Sequence, residues 1–383
     1  MEKIQLIATA TFGLEEMVKV EVKKLGFDEI TVENGKVTFT ADEAAIPKAN
    51  LWLRTADRVL LKMGEFKATT FEELFQGTKA LPWEEWIPQN GKFPVIGKSV
   101  KSTLFSVSDC QAIVKKAIVE RLKQVYHTEW FVEDGPEYKV EVALLKDVVT
   151  LTIDTSGAGL HKRGYRETAN EAPLKETLAA AMIMISRWRE DRVLIDPFCG
   201  SGTIPIEAAL IGRNIAPGLE RSFASEDWPR VPKQLWKEAR REALAAIRQD
   251  TKIQILASDI NERTLKIAKE NAYKAGVEDC ITFAAQDMGK IKSNASYGYI
   301  ICNPPYGERL GEMKEVEQLY KRMGEAFGRF DTWSAYVLTS HEEFEKFYGK
   351  KASKKRKLFN GRLKVEYYQF FGPKPPKEMF GNL

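Results

Sequence analysis

The chain has 383 residues, 44% of them hydrophobic and 29% charged, with 58 Lys and Arg against 54 Asp and Glu for a net charge of +4. These values exclude collagen-like, mucin-like and wholly disordered chains and suggest two or three globular domains. Apolar runs such as Leu178 to Ile185 fall short of the ~20 residues a bilayer span needs, and the opening Met1-Glu-Lys-Ile4 lacks the apolar stretch of a secretory leader. Cys110, Cys199, Cys280 and Cys302 form no C-x-x-C pair, and His127, His161 and His341 have no ligand spacing. The expectation is a cytoplasmic protein with no membrane partner and no metal.

The first third reads as strands alternating with helices. Ile4 to Ala10 is a predicted strand, and Leu14 to Leu25 a helix with Leu14, Val18, Val22 and Leu25 on one face. Ile30 to Thr40 is a strand pair about the hairpin dipeptide Asn34-Gly35. Ala44 to Asp57 reads as a helix and Val59 to Phe66 as a strand, completing a β-α-β-β-α-β pattern of ferredoxin-like type. A second unit follows. Thr70 is placed to cap a helix to Gly77, and Phe93 to Ser102 holds a short strand. Ser108 or Asp109 caps a helix from Cys110 to Tyr126, and Tyr138 to Asp154 makes two strands joined near Lys146-Asp147.

Beyond the basic-aromatic connector Leu160-His-Lys-Arg-Gly-Tyr-Arg166 the pattern is α/β. A helix from Leu174 leads to the apolar strand Val193-Leu-Ile195. A long polar helix covers Pro232 to Gln249. Strands follow at Ile253 to Ala257, Ile281 to Ala284, Tyr299 to Cys302 and Ala335 to Leu338. Such alternation predicts a parallel, doubly wound sheet.

Four stretches at strand ends carry chemistry. In Asp196-Pro-Phe-Cys-Gly-Ser-Gly-Thr203 the glycines permit a tight strand-to-helix turn and close backbone approach to a ligand. The phosphate-loop and dinucleotide-loop patterns are both absent. Asp259 ends a strand, where a carboxylate accepts ribose hydroxyls, or caps the helix starting near Glu262. It lies 56 residues past Thr203 instead of about 20, so Asn214 to Asp250 reads as an insertion. Gln286-Asp287 ends another strand and can accept from an adenine amine, or is an exposed loop acid. Last comes Asn303-Pro-Pro-Tyr306, a loop stiffened by prolines. The Asn303 amide oxygen and the Pro304 carbonyl match the two hydrogens of a planar exocyclic amine. Holding both turns the nitrogen lone pair towards an electrophile, while Tyr306 offers a stacking face.

Charge is uneven. Lys350 to Glu366 holds eight basic residues and one acid, a local +7 that leaves −3 on the rest. Lys354, Lys355 and Arg356 at its centre are candidate polyanion contacts; the alternative is a solvated, mobile loop. The nearby Phe359, Tyr367 and Tyr368 offer stacking rings or belong to a strand, since Leu363 to Phe371 is rich in strand formers.

Together these stretches resemble the S-adenosylmethionine-dependent amino-methyltransferases. More closely, the whole chain resembles the bacterial THUMP-domain RNA guanine-N2 methyltransferases. The likeness rests on Leu160 to Arg166, Ala172-Pro-Leu-Lys-Glu-Thr-Leu178, Asp196 to Thr203 and Asn303-Pro-Pro-Tyr-Gly-Glu-Arg-Leu310. It implies an N-terminal ferredoxin-like domain at residues 1–65, a THUMP RNA-binding domain at 66–160 and a Rossmann-like class I methyltransferase domain at 161–383. It also implies S-adenosylmethionine as cofactor. Asp196, Phe198, Gly200, Ser201, Gly202 and Thr203 would hold its methionine end, Asp259 its ribose and Asp287 its adenine. Asn303, which would also border the cofactor, joins Pro304 and Tyr306 around the target guanine. Lys162, Arg163 and Arg166 would touch phosphate or pack a domain seam. The implied substrate is structured RNA, ribosomal by preference and transfer RNA otherwise. Alternative acceptors are adenine in DNA or RNA and a glutamine amide in a release factor. A non-catalytic RNA-binding assembly factor is the remaining reading.

Overall fold

The computed structural model describes residues 3–166, 174–307 and 313–376. Two compact units emerge from interleaved stretches of chain. The first comprises Met1–Ala10, Val18–Leu160 and Arg221–Glu242; the second comprises Thr11–Met17, His161–Glu220 and Ala243–Leu383.

Unit one contains β1 (Ile4–Ala10), α1 (Glu15–Lys24), β2 (Asp28–Glu33), β3 (Lys36–Ala41), α2 (Ala45–Trp52), β4 (Ala56–Lys67), α3 (Phe71–Lys79), β5 (Val95–Val100), α4 (Val107–Tyr126), β6 (Val140–Leu145) and β7 (Val148–Asp154). The first six are the ferredoxin-like order and the rest the α+β THUMP region. The strands form one sheet in the order β2-β3-β1-β4-β7-β6-β5. Strand β4 joins the two halves. Its first part pairs with β1 and its second with β7, from Leu60 opposite Asp154 to Lys67 opposite Val148. Residue 65 therefore lies within a strand.

Local chemistry accounts for most element ends here. Lys146 and Asp147 both have positive φ, as the two-residue turn between β6 and β7 requires. Thr70 and Glu73 exchange hydrogen bonds in a capping box at α3. Two expectations are corrected. Helix α4 starts at Val107 after Ser106, whose side chain makes no capping bond. Helix α2 stops at Trp52, short of the Asp57 that sequence predicts, because the buried Glu21 carboxylate accepts from the Arg54 and Thr55 amides at 2.8 and 3.0 Å. Those amides are thereby taken out of the helical ladder.

The stretch Arg221–Glu242 packs into unit one through Trp228, which is 1% exposed. Its ring stacks on Tyr138 at 4.7 Å and meets Trp86 edge-on at 6.2 Å, and its indole N–H donates to the Glu137 carbonyl. The middle of the predicted insertion, Arg221–Glu242, is thus part of another core, while its ends belong to the second unit.

Unit two contains α5 (Glu176–Ser186), β8 (Leu194–Asp196), α6 (Thr203–Gly212), part of α7 (Lys233–Ala245), β9 (Ile255–Asp259), α8 (Glu262–Lys274), β10 (Ile281–Ala285), β11 (Tyr299–Cys302), α9 (Met313–Phe327), β12 (Ser334–Thr339), α10 (Phe344–Tyr348), β13 (Lys354–Asn360) and β14 (Leu363–Phe370). The sheet order is β10-β9-β8-β11-β12-β14-β13, parallel from β10 to β12, with β14 antiparallel to both neighbours. Both faces are covered. One core cluster includes Met182, Ile206, Leu265 and Tyr367, and the other Ile300, Met323, Phe344 and Tyr368. Burial on both faces explains the unbroken apolar run of β11. The basic run is corrected from loop to edge strand: Lys354 to Asn360 are β13, paired residue for residue with β14. The Asn360-Gly361 turn dipeptide, with Gly361 at φ +64°, is the signal that marks this hairpin.

Among the described residues no helix is long and apolar enough to cross a membrane. None of their His, Cys, Asp and Glu side chains cluster as a metal site.

Removing the Trp228 ring is expected to destabilise the protein by ~3–5 kcal/mol, the range for a buried aromatic. Denaturant unfolding of Trp228→Ala checks this. A loss under ~1 kcal/mol would mean that Arg221–Glu242 is peripheral to the first unit.

Candidate active site

Strand β8 occupies the switch point of the second sheet. Strands β9 and β10 are added on one side of it, and β11 and β12 on the other. Loops leaving neighbouring strands there diverge and open a crevice beyond the carboxyl ends. The crevice has a volume of about 1020 Å³.

The first wall is the loop after β8. Phe198 and Gly200 line the crevice. Gly200 has φ +53° and no atom within 4 Å of where a Cβ would stand, so its Cα faces open space. Gly202 has φ +86°, and a Cβ there would come within 3.1 Å of Ala268. Its glycine is needed both for the turn and for the approach of α8. Asp196, 1% exposed, is not in the lining: it accepts from the Phe198 amide at 3.1 Å beneath the loop. Burial pushes its carboxyl well above the ordinary range, and the nearby Asp259 charge adds to the rise. Ser201, Gly202 and Thr203 likewise lie outside the lining and shape the loop from behind.

Two strand-end carboxylates form the second wall. Asp259 accepts from the Gly200 amide at 3.0 Å and from the Asn261 amide at 2.9 Å, one bond to each oxygen. It therefore braces two loops, and a lone pair on each oxygen is left over. The capping alternative is corrected: Asn261 caps α8, accepting from Arg263 and Thr264. Asp287 accepts from the Gly289 amide at 2.8 Å and from Arg322 at 2.6 Å. The Arg322 guanidinium lowers its carboxyl below the usual range.

The third wall follows β11. Asn303 is half-buried, with Pro304 buried and Pro305 exposed beside it, and all three line the crevice with Tyr306. The Tyr306 hydroxyl donates to Oδ1 of Asn303. That bond orients the amide oxygen and occupies one of its two acceptor sites. The ring of Tyr306 is partly buried against the core. The Pro305 carbonyl accepts from Tyr320 at 2.8 Å, pinning the loop to α9.

Thus Phe198, Gly200, Asp259, Asp287, Asn303, Pro304 and Tyr306 share one crevice. Sequence reasoning passed over Ile260, Arg322 and Arg362, which also line it. Ile260, 78% exposed directly after the strand-end acid, carried a legible signal: a large apolar residue where a helix entry is otherwise polar. Arg322 lies on an amphipathic helix and gave none.

The connector residues are placed differently from the phosphate expectation. Arg163 is 3% exposed and ion-paired with the fully buried Glu207 at 3.2 Å, and the Tyr165 hydroxyl donates to the same carboxylate. Arg166 is largely buried, paired with Glu176 at 3.4 Å and bonded to the Thr203 hydroxyl. Both guanidiniums serve the packing under α6 instead of the surface, because a buried cation must be paired. Lys162 is exposed. Lys354 and Lys355 are exposed on β13, and Arg356 is half-buried. Ala172 and Pro173, and the Glu308-Arg-Leu310 extension, lie outside the described residues.

Chemically, the crevice offers the open glycine backbone at Gly200, strand-end carboxylates with spare lone pairs, the apolar surfaces of Phe198, Ile260 and Met288, and an oriented amide oxygen. That set suits an adenosine-bearing ligand at the carboxylates and a planar amine at Asn303.

Comparison with known proteins agrees. The RMKL-like methyltransferase domain family matches residues 163–369, the RlmL ferredoxin-like domain 5–60 and the THUMP domain 68–154. A Bacillus subtilis (strain 168) protein named "Putative RNA methyltransferase YpsC" is 57% identical over 98% of both chains. "Ribosomal RNA large subunit methyltransferase K/L" of Shewanella baltica (strain OS195) is 36% identical over 95% of this chain, which spans only 52% of that relative's length. Among solved structures, a Listeria monocytogenes protein described as a predicted N6-adenine-specific DNA methylase has a TM-score of 0.94 at 56% identity, covering 97% of each chain. A protein described as "SMU.472, a putative methyltransferase complexed with SAH" has a TM-score of 0.93 at 47% identity, covering 98% of this chain and all of that one.

The raised carboxyl of Asp196 makes stability depend on pH. Its contribution is complete below the ordinary carboxylate range and is lost as pH rises through the raised value. Asp196→Asn keeps an oxygen for the Phe198 amide and lacks that loss. The variant is expected to gain on the wild type as pH rises above the ordinary carboxylate range, by up to ~1.4 kcal/mol per pH unit. Thermal melts across that range check it, and a pH-independent difference would contradict it.

Proposed function

Because this chain belongs to the RMKL-like methyltransferase family, with RlmL ferredoxin-like and THUMP domains ahead of the catalytic one and S-adenosylmethionine as its cofactor, we propose that it methylates the exocyclic N2 amine of a guanine in structured RNA. The acceptor we assign is large-subunit (23S) ribosomal RNA. The observation that carries this reading is the half-buried Asn303 beside Pro304, in the same crevice as Asp259 and Asp287. The names of the K/L relatives and the THUMP match support the choice of RNA.

The cofactor supplies an electrophilic methyl group. Asp259 accepts the ribose hydroxyls through its spare lone pairs, and Asp287 takes the adenine amine with the oxygen that Arg322 leaves open. Phe198 and the loop amides at Gly200 border the methionine end. Asn303 Oδ1 and the Pro304 carbonyl accept one hydrogen each from the guanine amine, so its lone pair turns out of the ring plane. With the cofactor bound, the nitrogen–carbon bond would form as the sulfur–carbon bond breaks, and the alkylated nitrogen would shed a proton to water. Tyr306 holds the amide oxygen in place and presents its ring to the base. A base paired in a helix hides this amine, so the target must be unpaired or flipped out.

A second reading keeps the loop and changes the base. An adenine amine has the same two hydrogens, and the description of the Listeria monocytogenes relative favours it. Transfer of labelled methyl to DNA in preference to RNA would select that reading.

Asn303→Ala is expected to lower the rate of methyl transfer by at least ~100-fold, as loss of a positioning and polarising contact does. Affinity for the cofactor product by calorimetry, and for RNA by filter binding, should stay within a few-fold. Turnover within a few-fold of wild type would refute the amine-holding role.

A further inference from the structure

The opposite edge of the second sheet carries another crevice, of about 650 Å³. It lies where the parallel strands begin and α5 ends, away from the carboxyl ends that form the active site. Six cations line it: Arg187, Arg189, Arg192, Lys354, Arg356 and Lys374. Among the described residues no carboxylate does. Arg189 and Arg192 share Asp191, at 3.2 and 3.6 Å. Arg187, Lys354, Arg356 and Lys374 form no ion pair among the described residues.

Converging unpaired cations repel one another, so a protein keeps them together only where an anion compensates. Two further observations narrow the anion. Tyr299, Tyr336 and Phe371 line the same space as a graded stack, Tyr299 parallel to Tyr336 at 6.0 Å and Phe371 tilted against Tyr336 at 6.3 Å. Phe371 is 50% exposed, an open ring beside cations, which is the arrangement that takes a base next to its phosphate. Gln369 also lines the crevice. It is 3% exposed, and its Nε2 has no acceptor. A buried donor without a partner is costly unless a ligand supplies one.

Strand β13 connects the two sites. Lys354 and Arg356 at its start line the cationic crevice, and Asn360 at its far end and Arg362 in the turn after it line the active site. Its seven residues span ~23 Å at the usual rise.

We propose that this second crevice is an RNA subsite. It grips a single-stranded segment of the substrate several nucleotides from the target base, phosphates on Arg187, Lys354, Arg356 and Lys374 and a base on Phe371, with β13 as the track between. The inference rests on the RNA-methylation reading and adds to it where the substrate runs.

The test uses the full chain and large-subunit ribosomal RNA from cells lacking the protein. Arg187→Gln, Lys354→Gln and Arg356→Gln combined should weaken RNA binding at least ~10-fold. The slope of log affinity against log salt should fall by about 2–3, near one per lost phosphate contact. The methylation KM should rise in step, with kcat and affinity for S-adenosylhomocysteine within two-fold. Phe371→Ala, at a half-exposed ring, should weaken binding with the salt slope unchanged. Photo-crosslinks from RNA should fall on the segments 297–299 or 369–375. RNA affinity and salt slope like wild type in the triple variant would overturn the subsite. So would crosslinks confined to the active-site loops, or a mononucleotide bound here with RNA affinity indifferent to it. Wild-type protein that binds RNA through these residues but methylates another acceptor would sink the functional reading and leave the subsite standing.

Discussion

The reversal of strand order at β8 is the constraint from which the active site follows. With β9 on one side and β11 on the other, the chain leaves adjacent strands in opposite directions. Among the described residues no backbone closes the space between the Gly200 loop and the Asn303 loop. Asp259 then fixes the width of that space from the β9 side, since one carboxylate holds the amides of Gly200 and Asn261 together. Tyr306 and Tyr320 fix the opposite side, one through the Asn303 amide oxygen and the other through the Pro305 carbonyl. The groups proposed to hold cofactor and base are thus fixed by hydrogen bonds from rigid elements, which is the condition for preorganisation.

Much of this was legible in the residues because the signals are local. Alternating apolar runs placed the strands of the second sheet, and each chemistry-bearing stretch fell at a strand's carboxyl end, where a parallel sheet puts its ligands. Asn303 and the two prolines could be read as a rigid acceptor loop from composition alone. What escaped depends on pairings distant in sequence. Arg322 reaches Asp287 across 35 residues, and nothing in an amphipathic helix announces it. Glu21 ends α2 from 33 residues away. Trp228 sits in what reads as an insertion, yet its ring completes the core around Tyr138. The single sheet of the first unit depends on β4 being twelve residues long, and a period-two pattern does not say where one partner gives way to the next.

Cations proved the least legible residues, because composition counts them without saying whether they are paired. Arg163 and Arg166 look like surface contacts in a short basic connector, yet both are consumed by buried carboxylates under α6. Lys354 and Arg356 look like a solvated run, yet they lie on an ordered edge strand and form no ion pair among the described residues. Burial and pairing, not the number of basic residues, separate structural charge from charge available to a polyanion. Positive charge on the edge strand also discourages pairing with a strand of another copy, a role compatible with RNA contact.

The central claim is that Asn303 and Pro304 hold the amine of a guanine while it accepts the methyl group. Mass spectrometry of nucleosides, after large-subunit RNA lacking the modification is incubated with the protein and a deuteromethyl-labelled cofactor, tests it most directly. The account requires the label in N2-methylguanosine at one site. Label in N6-methyladenosine, or in no nucleoside of that RNA while DNA or protein acquires it, would contradict the account.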